Sequence, residues 1–279
     1  MIRAEKLSFA YDKKKDIFHD ISFHVKKGEI MAVLGANGIG KTTMMRCMMR
    51  FLTLKNGEIF LNGINTKTMS NSQFWKNISY VPQAKNFVFG YSVLNMIVMG
   101  RSQNVKFGYT PSKEEYEKAY ELLEEMGLSD LANRSCNSIS GGQLQLVLIA
   151  RALIKEPDIL IMDEPESNLD MKNQLKVLEI VKKISKERNV TVIINTHYPD
   201  YALRYSDKTL ILGRDSFVFD YSDKAITKEN INRYFNVEAS IYDVEVGEKK
   251  YKGILPISYF EENAIYKKNK EIEVEERTA

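Results

Sequence analysis

Cysteine is scarce in this chain. Cys47 and Cys136 are the only two in 279 residues, and they lie far apart. A secreted fold stapled by disulfides needs several pairs, so that class is excluded. Charge of one sign is also missing: 40 Lys+Arg against 37 Asp+Glu leave a formal net charge of +3. So balanced a chain carries no strong field, which argues against a dedicated binder of nucleic acid, and none is expected as a partner. No apolar run reaches the length of a membrane span. The longest mostly apolar region, 78–100, is broken by Pro82, Gln83, Lys85 and Asn86. Met1 to Lys6 lack the apolar stretch of a signal peptide. The expected home is therefore the reducing cytosol, and any work at a membrane requires another chain to cross it. No internal repeat is present.

What is there is apolar material enough for a sizeable core, 44% of residues, with an ordinary 28% charged. Ile21, Phe23 and Val25 alternate with Ser22 and His24, the period of a half-buried strand, and residues 1–27 read as antiparallel strands. Gly57 to Gly63 reads as another short strand between turns. Ile30–Leu34, Ile159–Met162 and Val190–Ile194 are instead continuous apolar runs, the signature of strands buried on both faces of a parallel sheet. Helical patterns fall between them, which makes the class α/β. The middle, 85–156, reads as helical. Ser112 and Glu115 form a capping box, Tyr116, Tyr120 and Leu123 recur at helical spacing, and Gly127 supplies a stop. Gln143 to Ile154 is apolar nearly all round, as in a buried helix. Beyond 226 the chain shows one short helix, two or three strand-like runs, and a charged tail over 261–279.

Gly35-Ala36-Asn37-Gly38-Ile39-Gly40-Lys41-Thr42 matches the phosphate-binding loop G-x-x-x-x-G-K-[ST] between a buried strand and a helix. A chance match occurs in roughly one chain in a hundred of this composition, which favours a nucleotide site over a merely flexible turn. The glycines let backbone N–H groups turn inward around a phosphate at a helix N-terminus. Lys41 reaches for the β- and γ-phosphates, and the Thr42 hydroxyl for Mg²⁺. The Met-rich helix that follows, Met44 to Met49, reads as flexible core packing, with Cys47 as a small hydrophobe within it. Asp163 and Glu164 end an apolar strand, where α/β sheets place ligands. Asp163 suits Mg²⁺, and Glu164 suits the water that attacks the γ-phosphorus. Ser140-Gly141-Gly142-Gln143 stands 100 positions after Gly40, at a helix start, as a second candidate anion site. That tetrapeptide arises by chance in about one such chain in a thousand.

Together, in this order, these segments resemble the ATP-binding cassette (ABC) ATPases over about residues 1–225. The resemblance implies a P-loop ATPase core with a mostly parallel sheet, an N-terminal antiparallel β subdomain and an inserted helical subdomain. The core then takes 1–84 and 157–225, the helical signature subdomain 85–156, and a C-terminal extension 226–279. It implies ATP and Mg²⁺ as ligands. ATP is held by Gly35 to Thr42 with Thr43, while Tyr11 stacks on adenine. Gln83 senses Mg²⁺, His197 contacts the γ-phosphate, and Ser167-Asn168-Leu169-Asp170 meets the partner subunit. Ser140, Gly141, Gly142 and Gln143 close on the ATP of a second copy. Asp170 also reads as an N-cap.

The run Phe87 to Arg101 resembles the permease-facing stretch in importers of iron–siderophore complexes, haem and cobalamin. On that likeness the chain is the peripheral, cytoplasmic-face motor of a membrane importer: a homodimer on integral-membrane permease subunits, fed by an extracytoplasmic substrate-binding protein. A separate-chain exporter ATPase is the alternative; a soluble family member acting on DNA or ribosomes is a third, disfavoured by the short spacing between motifs, the single cassette and the near-neutral charge. Four positions depart from the family pattern. Ile139 stands for the usual Leu, Leu144 and Leu146 stand where polar residues are common, and Glu166 stands where Thr or another neutral residue is usual. A carboxylate at 166 is expected to raise the pKa of Glu164 by like-charge repulsion and shift the pH optimum.

Overall fold

The computed structural model describes residues 1–12, 15–83, 90–104 and 110–260. Three sheets organise them. The first is antiparallel, with β1 (Ile2–Phe9) between β2 (Phe18–Val25) and β4 (Asn56–Leu61), and β5 (Ile64–Asn65) outside β4. In β2, Ile21, Phe23 and Val25 face the core while Ser22 and His24 face out, as their alternation predicts. The second sheet carries the site. Its order is β10 (Phe217–Tyr221), β9 (Lys208–Leu212), β3 (Ile30–Gly35), β8 (Thr191–Asn195), β7 (Ile159–Asp163) and β6 (Ile78–Val81). All neighbours are parallel except β10 on β9. Every residue of β3 and β8 is buried, which is why these strands read as unbroken apolar runs.

The two faces of this sheet feed different cores. Met31, Val33, Ile159, Ile161 and Ile193 point toward the antiparallel sheet and the Met-rich helix α1 (Lys41–Met48), whose Met44, Met45, Cys47 and Met48 are all buried there. Burial pushes the Cys47 thiol up to about 12, so it behaves as the hydrophobe expected. Leu160, Met162, Val192 and Ile194 point the other way, into a cluster shared with α3 (Val93–Val98), α4 (Lys113–Glu125), α5 (Gly141–Leu153) and α6 (Met171–Glu187). The remaining helix before that cluster, α2 (Asn71–Asn77), opens with its own Ser70–Gln73 capping box.

In α4 the Ser112–Glu115 box closes as read, and Gly127, at φ +66°, ends the helix in the left-handed conformation. The buried stripe of α4 is Ala119, Leu122 and Leu123. Tyr116 packs at its margin and Tyr120 is exposed, because a residue one step round the helix takes the inward position. In α5, ten of thirteen residues are buried. Leu144 and Leu146 are among them, so their departure from polar residues is explained by packing inside the helical cluster.

Over the outer part of the sheet, α7 (Pro199–Tyr205) and α9 (Lys228–Phe235) cover Ala32, Leu34 and Ile211, and α8 (Ser222–Ala225) packs on β9 and β10. A hairpin of β11 (Val237–Val246) and β12 (Lys249–Tyr259) leaves this cluster through Ala239, its distal half exposed. Among the described residues no helix is long and apolar enough to cross a membrane. Phe87, Val88 and Phe89, and the tail 261–279, lie outside the described residues. The described part of the run ending at Arg101 spends Val93, Met96, Ile97 and Val98 on the core, with Arg101 paired to Glu115 at 3.6 Å.

Leu146 is 1% exposed in the middle of the helical cluster. Leu146→Ala should lower unfolding free energy by about 2–5 kcal/mol, read as a lower midpoint in urea at unchanged m-value. A loss below about 0.5 kcal/mol would mean the site collapses around the vacancy or is not packed as described.

Candidate functional site

Because β3, β8, β7 and β6 are adjacent and parallel, their carboxyl ends emerge along one edge of the sheet. Gly35 ends β3 and opens the phosphate loop; Asp163 ends β7; Asn195 ends β8 two residues before His197; Gln83 follows β6 by two. The loop must turn sharply. Gly35 has φ +141° and Gly40 φ +110°, and a Cβ on Gly40 would meet Ile17 Cγ2 at 2.5 Å. Gly40 caps α1 without any side-chain hydrogen bond, so the first amides of this helix keep their donors for a ligand.

Lys41 folds back into the loop. Its Nζ donates to Gly35 O at 2.7 Å and Ala36 O at 3.0 Å, and lies 3.4 Å from His197 Nδ1. The residue is 5% exposed, and burial pushes its ammonium down to about 8 against the opposing pull of Glu164 and Asp163. On its other side, His197 Nε2 lies 2.6 Å from Glu164 Oε1. Lys41, His197 and Glu164 thus form one continuous polar chain, drawn from three neighbouring strand ends. Glu164 adopts φ +47°, held by its N–H donating to Asn195 O at 2.9 Å and by Ser167 Oγ donating to its Oε2 at 3.0 Å. A left-handed backbone at a non-glycine residue is strained, and here the neighbouring strand fixes it.

Asp163 is oriented from both flanking strands. Asn195 Nδ2 donates to Oδ1 at 2.6 Å, and Tyr80 Oη points at Oδ2 from 3.4 Å. Burial, then the Asp163 charge, pushes the Tyr80 phenol up to about 12. Sequence reasoning passed over Asn195 and Tyr80. The signal for Asn195 was available: a fully buried amide closing an otherwise apolar strand is costly unless something needs it. Thr42 and Asp163 line one cavity of about 410 Å³ with Arg46 and Tyr80. Among the described residues no cluster of three His, Cys, Asp or Glu could hold a metal. A hydroxyl and one carboxylate on a shared cavity suit Mg²⁺, which keeps waters and phosphate oxygens as its other ligands.

Tyr11 is 63% exposed, set edge-on against Phe9, with its Oη 3.2 Å from Thr43 Oγ1 at the start of α1. Ser140 caps α5, accepting from Gln143 N at 3.3 Å, while Gln143 Oε1 accepts from Ser140 N at 2.9 Å. The box engages the Gln143 side chain and leaves the Gly141 and Gly142 amides without an intrahelical acceptor. A Cβ on Gly142 would meet Asn173 Cγ at 2.5 Å. Asn173 in turn gives its N–H and its side-chain amide to Asp170, which caps α6 as read.

Glu166 is where expectation and structure part. It is wholly buried: Thr196 Oγ1 donates to its Oε1, and its Oε2 has no hydrogen-bond partner among the described residues. Burial pushes its carboxyl up to about 7, with the Thr196 hydrogen bond opposing and the charges of Glu164 and Asp163 adding. The acid displaced from its ordinary range is Glu166 itself.

The sequence from 18 to 167 matches the family model described as ABC transporter. The chain belongs to the ABC transporter family. An ABC transporter ATP-binding protein of Methanocaldococcus jannaschii is 37% identical over 88% of this chain and 94% of its own length. The molybdate import ATP-binding protein MolC of Haemophilus influenzae is 32% identical over 92% and 96%. A solved inward-facing structure, assigned to the metal-chelate type of ABC transporter, superposes with a TM-score of 0.82 at 32% identity, covering 92% of this chain and 97% of that one. The ABC ATPase fold and an ATP-binding, ATP-hydrolysing chain are thereby established.

Glu166→Gln should remove a pH-dependent penalty. The free carboxyl titrates near 4.5 and the folded one near 7, so between these values only the unfolded wild-type chain sheds its proton. Wild type should lose on the order of 3 kcal/mol relative to Glu166→Gln as pH rises from 4.5 to 7, with no divergence below that window. Denaturation midpoints of both chains from pH 4 to 8 check this; parallel curves would contradict it.

Proposed function

We propose that this chain is the ATP-hydrolysing motor subunit of a membrane importer for metal chelates of the iron–siderophore, haem or cobalamin kind. The observation that carries the hydrolytic part is the chain Lys41–His197–Glu164 at the mouth of the phosphate loop. Import is supported by the likeness to MolC and to a metal-chelate type structure, and by the resemblance of the run through Arg101 to permease-facing segments.

On this reading the Gly35–Thr43 loop wraps the phosphates, and Tyr11, exposed above α1, stacks on adenine. Lys41 exchanges its two carbonyl acceptors for the β- and γ-phosphates. Glu164, held by Ser167 and Asn195, takes the proton of the attacking water, and His197 bridges this base to the γ-phosphate. Thr42, Asp163 and Gln83 would hold Mg²⁺, which when bound neutralises charge on the β- and γ-phosphate oxygens. A second copy of the chain supplies Ser140, Gly141 and Gly142, whose helix-start amides complete the anion site, while the Ser167–Asp170 loop meets that partner subunit. Closing two copies around ATP and reopening them after hydrolysis shifts the population of the permease's states. The subunit is then peripheral, at the cytoplasmic face of the membrane, with an extracytoplasmic binding protein delivering the cargo.

Two measurements test this. Because only the charged amine pairs with phosphate and the ligand-free ammonium titrates near 8, ATP affinity should fall above pH 8, approaching tenfold per pH unit. Lys41→Met should bind weakly with a flat profile; Lys41→Met binding ATP as tightly as wild type at pH 7 removes Lys41 from phosphate binding. Affinity capture of the chain from gently solubilised native membranes should bring down a many-span permease. Recovery from the soluble fraction with ribosomes, DNA or no companion overturns the transporter role.

A further inference from the structure

Glu166 is a buried acid with one oxygen unpartnered, a feature that costs stability and that nothing in the hydrolytic scheme uses. Its surroundings are specific. Thr196 Oγ1 donates to Glu166 Oε1 and accepts from Tyr198 N–H at 3.1 Å, so one hydroxyl is tied on both sides of His197. Glu164, two residues before Glu166, contacts the ring of that same His197. The path from Glu164 through Pro165 to Glu166, across to Thr196 and back through His197 is therefore a closed ring of two loops. The ring is clamped from behind as well. Gln174 Nε2 on α6 donates to Glu166 O at 3.3 Å, and Tyr201 Oη on α7 donates to Gln174 Oε1 at 2.5 Å.

We propose that Glu166 is a positioning residue: through Thr196 its carboxyl pins the loop of His197 to the loop of Glu164 and so sets both groups in register toward the γ-phosphate. This rests on the hydrolytic reading of Glu164 and His197 given above. The carboxyl itself touches no nucleotide. Its loss acts on turnover and leaves ATP binding, which the phosphate loop carries, in place.

The test is steady-state MgATP hydrolysis by the full-length chain and its variants. Glu166→Leu fills the site without an acceptor, and Thr196→Val removes the donor. Each should lower kcat about tenfold or more with KM for ATP within about twofold. The double variant should fall no further than either single one, since both break the same bridge. Glu166→Gln and Thr196→Ser, which keep the bridge, should retain kcat within about threefold. Glu166→Leu also removes an unpaired buried acid, so it should melt no lower than wild type while turning over more slowly, which a merely structural role does not allow. If it fails to fold, the Thr196→Val and Thr196→Ser pair makes the same comparison. Wild-type kcat in Glu166→Leu or Thr196→Val, or multiplicative losses in the double variant, overturns the proposal. Lys41→Ala separates the two levels: turnover retained there defeats the hydrolytic reading itself, whereas turnover lost there but kept in Glu166→Leu defeats only the positioning role.

Discussion

The order of four parallel strands decides where the chemistry sits. With β8 between β3 and β7, the loop after β8 has to emerge between the phosphate loop and the acidic end of β7. His197 therefore stands between Lys41 and Glu164, within reach of both. A strand order with β8 at the edge would leave the lysine and the glutamate without that bridge. The helical cluster and the antiparallel sheet pack on opposite faces of this sheet, through alternate residues of the same strands. Both subassemblies are thus anchored to the elements that end in the site.

Polarity inside that edge is concentrated and used. Asn195 is wholly buried, yet its amide orients Asp163 and its carbonyl fixes the strained backbone of Glu164. Thr196 and Glu166 continue the layer, and Tyr80 closes it from β6. Buried polar groups of this kind are costly singly and specify one arrangement when joined. The price is visible at Glu166, where burial holds a carboxyl near neutrality with one oxygen unpartnered.

Much of this was legible in the residues. Runs with no polar interruption, such as Ile30–Leu34, fitted strands buried on both faces, and glycines spaced around Lys41 pointed to a turn and a close approach. The capping box at Ser112 announced its helix by residue type alone, whereas the one that Gln143 closes on Ser140 emerged only in the structure. Other features were hidden for physical reasons. That Glu166 points inward depends on the left-handed turn at Glu164, which no propensity signals. Leu144 and Leu146 looked anomalous because a motif pattern says nothing of the volume they fill. Tyr80 meets Asp163 only across paired strands 83 positions apart. In α4 only Tyr120 was misplaced, since it is amphipathic enough to sit in either position; Leu123 is buried and Tyr116 packs at the core's margin.

Hydrolysis by this site rests on Glu164, which activates water while the phosphate loop carries ATP binding. The direct measurement is ATP retention and phosphate release by the Glu164→Gln chain, followed with sedimentation of the same sample. ATP bound without phosphate release, in a particle of twice the 32.2 kDa chain mass, is the predicted result. Phosphate release at the wild-type rate would contradict it.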